Sequence, residues 1–323
     1  MNMNKENSKS FLKAASKQKA FLAIVAMFIL MIFFKTNFYT SYNLLDMLNS
    51  TAINEILAAG VTLVIICAGC DLSIGGLLSL SGIVTIQLMN MMPMVPAILC
   101  GLALGAFVGV INGFFVVYQK NEPFIITLGM GMVLKGVAQE LTDAHPVSPM
   151  NNADFMKIAN GKIIAGIPNL VIMMLIVMVL VHIILRYTSF GRNCYAVGGD
   201  FNVAVYAGIN ATKTKWVAYI ISGVITAFGG ILLSSKLNSG SSIYGDATPL
   251  LIHCGAVIGG TSLTGGKGGI PQTFIGLLAL AVLQNCMNML LITAYIQQLV
   301  QGIVIVGILW LDCFTLKLKR EAV

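Results

Sequence analysis

The chain has 323 residues, 57% of them hydrophobic and only 10% charged, with a net charge of +7. Soluble domains carry about 25% charged residues, so this much apolar surface cannot be hidden in one water-facing core and its solvent must be lipid. The positive charge is not a nucleic-acid signature: Lys5, Lys9, Lys13, Lys17 and Lys19 precede the first apolar run, and Lys317, Lys319 and Arg320 follow the last, the flanks of a membrane domain with both ends in the cytoplasm.

A cytoplasmic tail over 1–19 leads into a first span at 20–35. The span is read as uncleaved, because the stretch from Lys35 to Tyr39 offers no small-residue cleavage site. A second span at 51–70 carries Glu55 near its outer start and is closed by Cys67 and Cys70, with Asp71 at its inner end. This C-x-x-C fits zinc or redox chemistry, but no second pair exists and no histidine is near in sequence. Small apolar side chains on one helix face is the reading adopted. Further segments are expected at 72–92 and 94–118. In the latter, Gly101, Gly105, Gly109 and Gly113 line one face for close helix packing and Asn112 sits beside them. A segment at 123–141 precedes a polar loop at 142–166, placed outside, with Pro146, Pro149, Asn151, Asn152 and Asp154. A span at 167–187 leads to the longest cytoplasmic loop, 188–215, where Asp200 can cap a short helix running to Ala207 and Gly208 can end it. Such a helix suits docking another protein; a plain connecting loop is the alternative. Segments at 216–235, 249–262, 270–290 and 293–312 complete the membrane domain, 20–312, before a tail at 313–323. The segment at 249–262 is too short to cross fully.

An even number of crossings returns both termini to the cytoplasm. Most of the 19 basic residues then fall inside, including Lys120, Arg186, Arg192, Lys213, Lys215 and Lys267. Only Lys35, Lys135, Lys157, Lys162 and Lys236 fall outside, which is the bias the positive-inside rule requires.

The glycine-dense run from Gly255 to Gly269 must be tested as a phosphate loop. That motif needs G-x-x-x-x-G-K-[ST]. Aligning Gly266 and Lys267 puts Thr261 where the first glycine belongs and Gly268 where Ser or Thr should hold magnesium, so the match fails twice. No zinc motif, nucleophile elbow or haem signature is present, and no metal site is expected. His145, His182 and His253 are scattered. Membrane acids are few, Glu55 and Asp71, without an evident basic partner, which argues for energy supplied from outside the chain. The candidate pathway residues are neutral: Asn54, Gln87, Asn112, Thr127, Gln284, Asn285 and Asn288. Amides donate and accept hydrogen bonds, as a hydroxyl-rich solute requires, although each also suits bonding between spans. A faint duplication pairs the turn at 69–76 with the run at 255–269, and Ile111–Gly113 with Gln284–Cys286, as in carriers built from inverted halves.

Four segments resemble the permease subunits of ATP-binding-cassette importers for simple sugars, the ribose, xylose and galactose type. Gly69 through Gly76 is similar to that family's G-x-D-L-S-V-G, and Glu122 through Gly129 to its P-F-I-x-T-L-G. Thr188 through Asn210 is similar to its cytoplasmic loop T-x-x-G-R-x-x-Y-A-x-G-G-N…G-I-N, and Gly259 through Gly269 to its G-G-T-S-L-x-G-G-x-G. Order and spacing agree from about residue 50 to the C-terminus. Asp200, where the family usually has Asn or another polar residue, and Gly269, often Arg or Ser, depart from the pattern.

The resemblance implies an all-α polytopic permease of the type II importer kind, with about ten membrane segments, in the bacterial cytoplasmic membrane. It implies a second permease subunit, identical or a sister, an extracytoplasmic sugar-binding protein, and an ATP-binding subunit, often a fused double ATPase. ATP and magnesium would be bound by that partner and no cofactor by this chain. The loop 188–215 would be the coupling element, with Gly191, Arg192, Tyr195, Gly198, Gly199, Asp200, Ala204, Gly208 and Ile209 as its residues. The glycine hairpins, with Gly69, Asp71, Ser73 and Gly75 in the first and Gly259, Gly260, Ser262, Gly265, Gly266 and Gly268 in the second, would break helices beside the pathway. The solute would be a monosaccharide or similar small polar molecule. Relatives also carry the autoinducer furanosyl signal and nucleosides. A secondary carrier or passive channel is the leading rival, and a membrane enzyme using His182 and His253 as a metal pair a more distant one. The purified chain without partners is expected to show no ATP turnover. Magnesium-dependent hydrolysis by the chain on its own would restore the phosphate-loop reading.

Overall fold

The computed structural model describes residues 19–34, 37–150, 153–163 and 166–321. The tail expected over 1–19 lies outside them except for Lys19, as do Lys35, Asn151 and Asn152. The helices are α1 (Lys19–Ile32), α2 (Ser41–Ile66), α3 (Ile74–Met89), α4 (Met94–Gly113), α5 (Pro123–Glu140), α6 (Ala153–Asn160), α7 (Asn169–Tyr187), α8 (Ser189–Gly199), α9 (Phe201–Tyr206), α10 (Ala211–Leu237), α11 (Thr248–Gly259), α12 (Ile270–Met289) and α13 (Ala294–Glu321). The all-α expectation holds among the described residues, with one isolated bridge, Val147 to Gly240. Among the described residues, five helical stretches are long and apolar enough to cross a membrane: Ser41–Ile66, Met94–Tyr118, Asn169–Tyr187, Ala211–Leu237 and Ile270–Met289.

Several boundaries differ from expectation for local reasons. Helix α2 starts at Ser41, because Thr40 caps it by accepting the Asn43 N–H. Glu55 therefore lies about 21 Å along the helix and not near its start. The last helix continues to Glu321, through most of the stretch read as a tail. Lys135, counted on the outer side, lies in α5 within the segment expected at 123–141, and Lys236, one residue past the segment expected at 216–235, lies in the last turn of α10. The polar loop at 142–166 contains α6, tied to the end of α10: Ser235 Oγ donates to Phe155 O at 2.6 Å and Asn160 Nδ2 to Lys236 O at 2.9 Å. Residues 188–215 are not a plain loop but α8, α9 and the first turn of α10.

Helices α4 and α10 meet along a glycine seam. Gly105, Gly109 and Gly113 of α4 face α10, and Gly101 faces Thr85 of α3 and Ile231 of α10. A Cβ on Gly105 would lie 2.4 Å from Gly223 O, on Gly109 2.5 Å from Tyr219 O, and on Gly113 2.5 Å from the Trp216 ring. Helix α2 runs antiparallel to α10 on another side. Lys236 Nζ reaches Asn49 O at one end and Lys215 Nζ reaches Ala68 O at the other. Helix α7 packs on α2.

After α2 reaches the face that carries α8 and α9, the chain turns back on itself over Cys67–Ser73 before α3 begins. After α10 reaches the opposite face, the chain likewise turns back over 238–247 before α11 begins. The starts of α3 and α11 meet: a Cβ on Gly75 would lie 2.4 Å from Gly245 O and 2.9 Å from Pro249. Helices α3 and α11, about 24 and 18 Å long, leave this point for opposite faces. The same series of helix, re-entrant turn and short helix thus occurs twice with reversed sense. This corrects the sequence pairing. The counterpart of the turn at 69–76 is 238–247, which lacks its glycine pattern, and the run at 255–269 links a short helix to the next long one. Replacing Gly105 with Leu forces the seam apart, at a cost of about 1–3 kcal/mol or more, and should lower the thermal midpoint in detergent. Gly129→Leu, whose Cβ direction is open, should leave it unchanged.

Candidate functional site

The re-entrant turn Cys67–Ser73 buries two polar side chains, Asp71 and Ser73, beside its own backbone groups. In apolar surroundings each of its backbone groups needs a protein partner. Gly266 N donates to Ile66 O at 2.9 Å, Lys215 Nζ to Ala68 O at 2.8 Å and Tyr219 OH to Cys70 O at 3.0 Å. Leu72 N donates to Thr127 Oγ1 at 3.0 Å. Ala68 closes the end of α2 with a left-handed φ of 54°. Asp71 is 2% exposed. Its Oδ1 accepts from Ser73 N at 3.1 Å and Ser73 Oγ at 2.6 Å, and its Oδ2 from Ser222 Oγ at 3.3 Å. It sits at the start of α3, where a negative group complements the helix dipole. Asn112 Nδ2 donates to Ser73 Oγ at 2.7 Å, while its Oδ1 is buried without a hydrogen-bond partner.

Cys67 and Cys70 lie past the end of α2, so they are not side chains on a helix face, and the fold brings a histidine to Cys70. His253 Nε2 stands 3.5 Å from both Cys70 Sγ and Asp71 N, and its Nδ1 is 2.8 Å from Pro249 O. His182 instead packs edge-on against Tyr187, so the two histidines engage separate partners. No group of three or more His, Cys, Asp or Glu suited to a metal occurs among the described residues.

The turn is fastened to α8 and to the glycine run. A Cβ on Gly198 would fall 1.7 Å from Ile66 O and 2.6 Å from Gly266 N, and one on Gly265 2.7 Å from Gly198 O and from Ala68 Cβ. Tyr195 OH donates to Gly268 O at 2.9 Å, and burial holds this phenol above its ordinary pKa, so it remains a donor at neutral pH. Gly260, Gly265, Gly266 and Gly268 have φ of 103°, 84°, 69° and 118°, a backbone that favours glycine. Gly259 fits against Gln272 O, and Ser262 N bonds Lys267 O at 3.1 Å across the hairpin. Of the paired glycines, Gly198 is the one under steric demand, because Gly199 has open space beyond its Cα. Asp200 Oδ1 accepts from Val203 N at 3.0 Å and caps α9, and Gly208, at φ 80°, follows its end. Ala204 and Ile209 pack with Val197 and Ala211. Gly191 N bonds the capping Thr188 Oγ1. Arg192 donates to Ser189 Oγ at 2.9 Å, and Val203, Val205 and Tyr206 of α9 are exposed.

The seven candidate pathway residues separate into three places. Asn54, Gln284, Asn285 and Asn288 line one cavity of about 340 Å³ between α2 and α12, together with Asp46, Ser50 and Thr51. Asn285 and Asn43 exchange amide bonds at 3.0 Å beside it. Thr127 and Asn112 belong to the turn, and Gln87 Nε2 is spent on Leu141 O at 2.8 Å. Asp46, Ser50 and Asn54 were legible as a polar stripe at helical spacing once α2 is known to begin at Ser41. Glu55, one residue past Asn54, is fully buried and neither carboxyl oxygen has a hydrogen-bond partner.

The family model described as "Branched-chain amino acid transport system / permease component" matches residues 43–309. The ribose import permease of Escherichia coli strain K12 is 36% identical over 293 residues, covering 90% of this chain and 91% of that protein. The ribose import permease of Bacillus subtilis is 35% identical over 294 residues, 90% of this chain and 91% of its own. The D-allose transport system permease of Escherichia coli is 34% identical over 277 residues, 85% and 84% of the two chains. No solved structure matches. Replacing Asp71 with Ala strands Ser73 N–H and two hydroxyls in a dry site, at about 1–3 kcal/mol for an unsatisfied group. Asp71→Asn keeps an acceptor there, so melting in detergent should fall clearly for the Ala variant and much less for the Asn variant.

Proposed function

The chain belongs to the branched-chain amino acid transport system / permease component family, and from that premise we propose that it is the membrane subunit of an importer for a monosaccharide or a similar neutral polyol, driven by a separate ATPase. Its membrane domain over 20–312 sits in a bacterial cytoplasmic membrane with the α8–α9 face inside. A second permease chain completes the pathway and an external binding protein delivers solute. ATP and magnesium stay on the partner. The observation that carries this reading is the seating of Gly198 on Ile66 O. A push on α8 and α9 from an ATPase reaches the re-entrant turn through backbone contact, with no side chain between to absorb it. The amide-lined cavity of about 340 Å³ suits the solute, offering acceptors and donors to hydroxyl groups.

The mechanism is alternating access. Binding of ATP by the partner displaces α8 and α9, the displacement passes to the turn at Cys67–Ser73 and the run at 255–269, and the short helices α3 and α11 change their tilt. Glu55 favours a different reading, a proton-coupled carrier, because an unpartnered buried carboxyl in a membrane span is a natural proton site. Deleting the cognate ATPase decides between them: uptake is expected to disappear, and persistent uptake that is lost in Glu55→Gln would establish the carrier. Tyr206, 89% exposed on α9, tests the coupling surface without endangering the fold. Tyr206→Ala should weaken docking by about 1–2 kcal/mol, roughly a tenfold change, and lower uptake with no change in membrane level. Parental uptake in Tyr206→Ala would remove that side chain from the contact.

A further inference from the structure

Lys135 of α5 and Asp246 form an ion pair, Nζ to Oδ1 2.7 Å. Its depth follows from the bonds of α5. Thr127 is bonded at the level of Leu72, Gly131 packs on Gly76, and Leu141 O meets Gln87 at the far end of α3. Lys135 lies about 9 Å of helix before Leu141, and Gly75, on which Gly245 beside Asp246 is seated, about 18 Å of helix before Gln87. A hydrocarbon core of about 30 Å places the pair well inside the membrane. The two side chains are nevertheless 37% and 50% exposed. Charged groups at such depth face a protein interior or water and not lipid. Below the pair a cleft of about 130 Å³ is bordered by Leu72, Gly75, Gly76, Gly131, Ser242 and Pro249. Both short-helix starts open on it, where first-turn N–H groups have no carbonyl of their own helix to bond. Among the residues lining the cleft, Lys135 and Asp246 are the only charged ones.

We propose that this cleft faces the solute's route, and that Lys135 and Asp246 are specificity residues there, offering an ammonium donor and a carboxylate acceptor to the hydroxyls of a neutral polyhydroxylated solute. The pair carries no net charge, so a neutral solute exchanges bonds with it, while an anion or cation must pull the two partners apart to bind one of them. The solute class rests on the importer reading above; the exposure to water does not.

The test uses the assembled importer in membranes, with ribose as the probe. Met132 lines the cleft and is 71% exposed, whereas Phe107 on α4, 60% exposed, does not line it. A charged, membrane-impermeant thiol reagent is expected to label Met132→Cys at least about tenfold faster than Phe107→Cys, above the parent chain's own cysteines, as water-facing and lipid-facing sites differ. Equal slow labelling at both positions overturns the proposal. So does ready disulfide formation between two Met132→Cys chains without labelling, which would make the face an interface between copies. Lys135→Asp and Asp246→Lys should each abolish most ribose uptake, and the double exchange should restore it. Parental uptake in the single variants removes the pair from the route. Uptake that survives loss of the ATPase would overturn the importer reading and leave the labelling contrast standing.

Discussion

The backbone of a chain surrounded by hydrocarbon has to find all of its hydrogen-bond partners within the protein, and the turn at Cys67–Ser73 is where this protein meets that demand. The turn breaks a helix in an apolar setting, and its carbonyls and N–H groups are taken up by Gly266, Lys215, Tyr219, Thr127 and the Asp71 carboxylate. These partners come from the glycine run, α10, α5 and the turn itself. Satisfying one short segment therefore fixes the relative positions of four separate parts of the chain. The short helix α3 can start at mid-depth only because that set is complete.

The same arrangement explains why α8 and the run at 255–269 share an address. Gly198, Gly265 and Gly266 touch backbone to backbone around Ile66 and Ala68, so the surface segment and the buried turn form one unit. On the other side of that unit, the starts of α3 and α11 meet at Gly75 and Gly245. A line of contact runs from an exposed apolar helix, α9, to the meeting point of two short helices beside a cleft, and it passes almost wholly through glycine and main chain.

Much of the helical layout was legible from the sequence, because apolar runs of about 20 residues are unambiguous and glycine at every fourth position announces close packing. Asp200 and Gly208 were also readable, since capping and left-handed termination are local rules. What was not legible depended on polar residues within apolar stretches. Ser41–Ser50 reads as a loop by hydropathy yet is helix, which hid Asp46 and Ser50 and put Glu55 at the wrong depth. Lys135 counts in the sequence simply as an outer-side basic residue, because only the folded chain brings Asp246 to it. The turn at 238–247 carries no glycine motif resembling its counterpart, so the symmetry that pairs it with 67–73 lies in the path of the chain and not in its letters.

The seam between α4 and α10 has a mechanical consequence. Gly105 against Gly223 and Gly109 against Tyr219 O leave no rotamer between the two backbones, and without rotamers there is nothing to cushion a displacement. The two helices act as one strut that transmits load along its length without yielding. Deformation then has to be taken up where the packing offers slack, as along α5, where Gly129 and Gly136 face open space. The stiff and compliant parts of the molecule are thus assigned by where its glycines are crowded and where they are not.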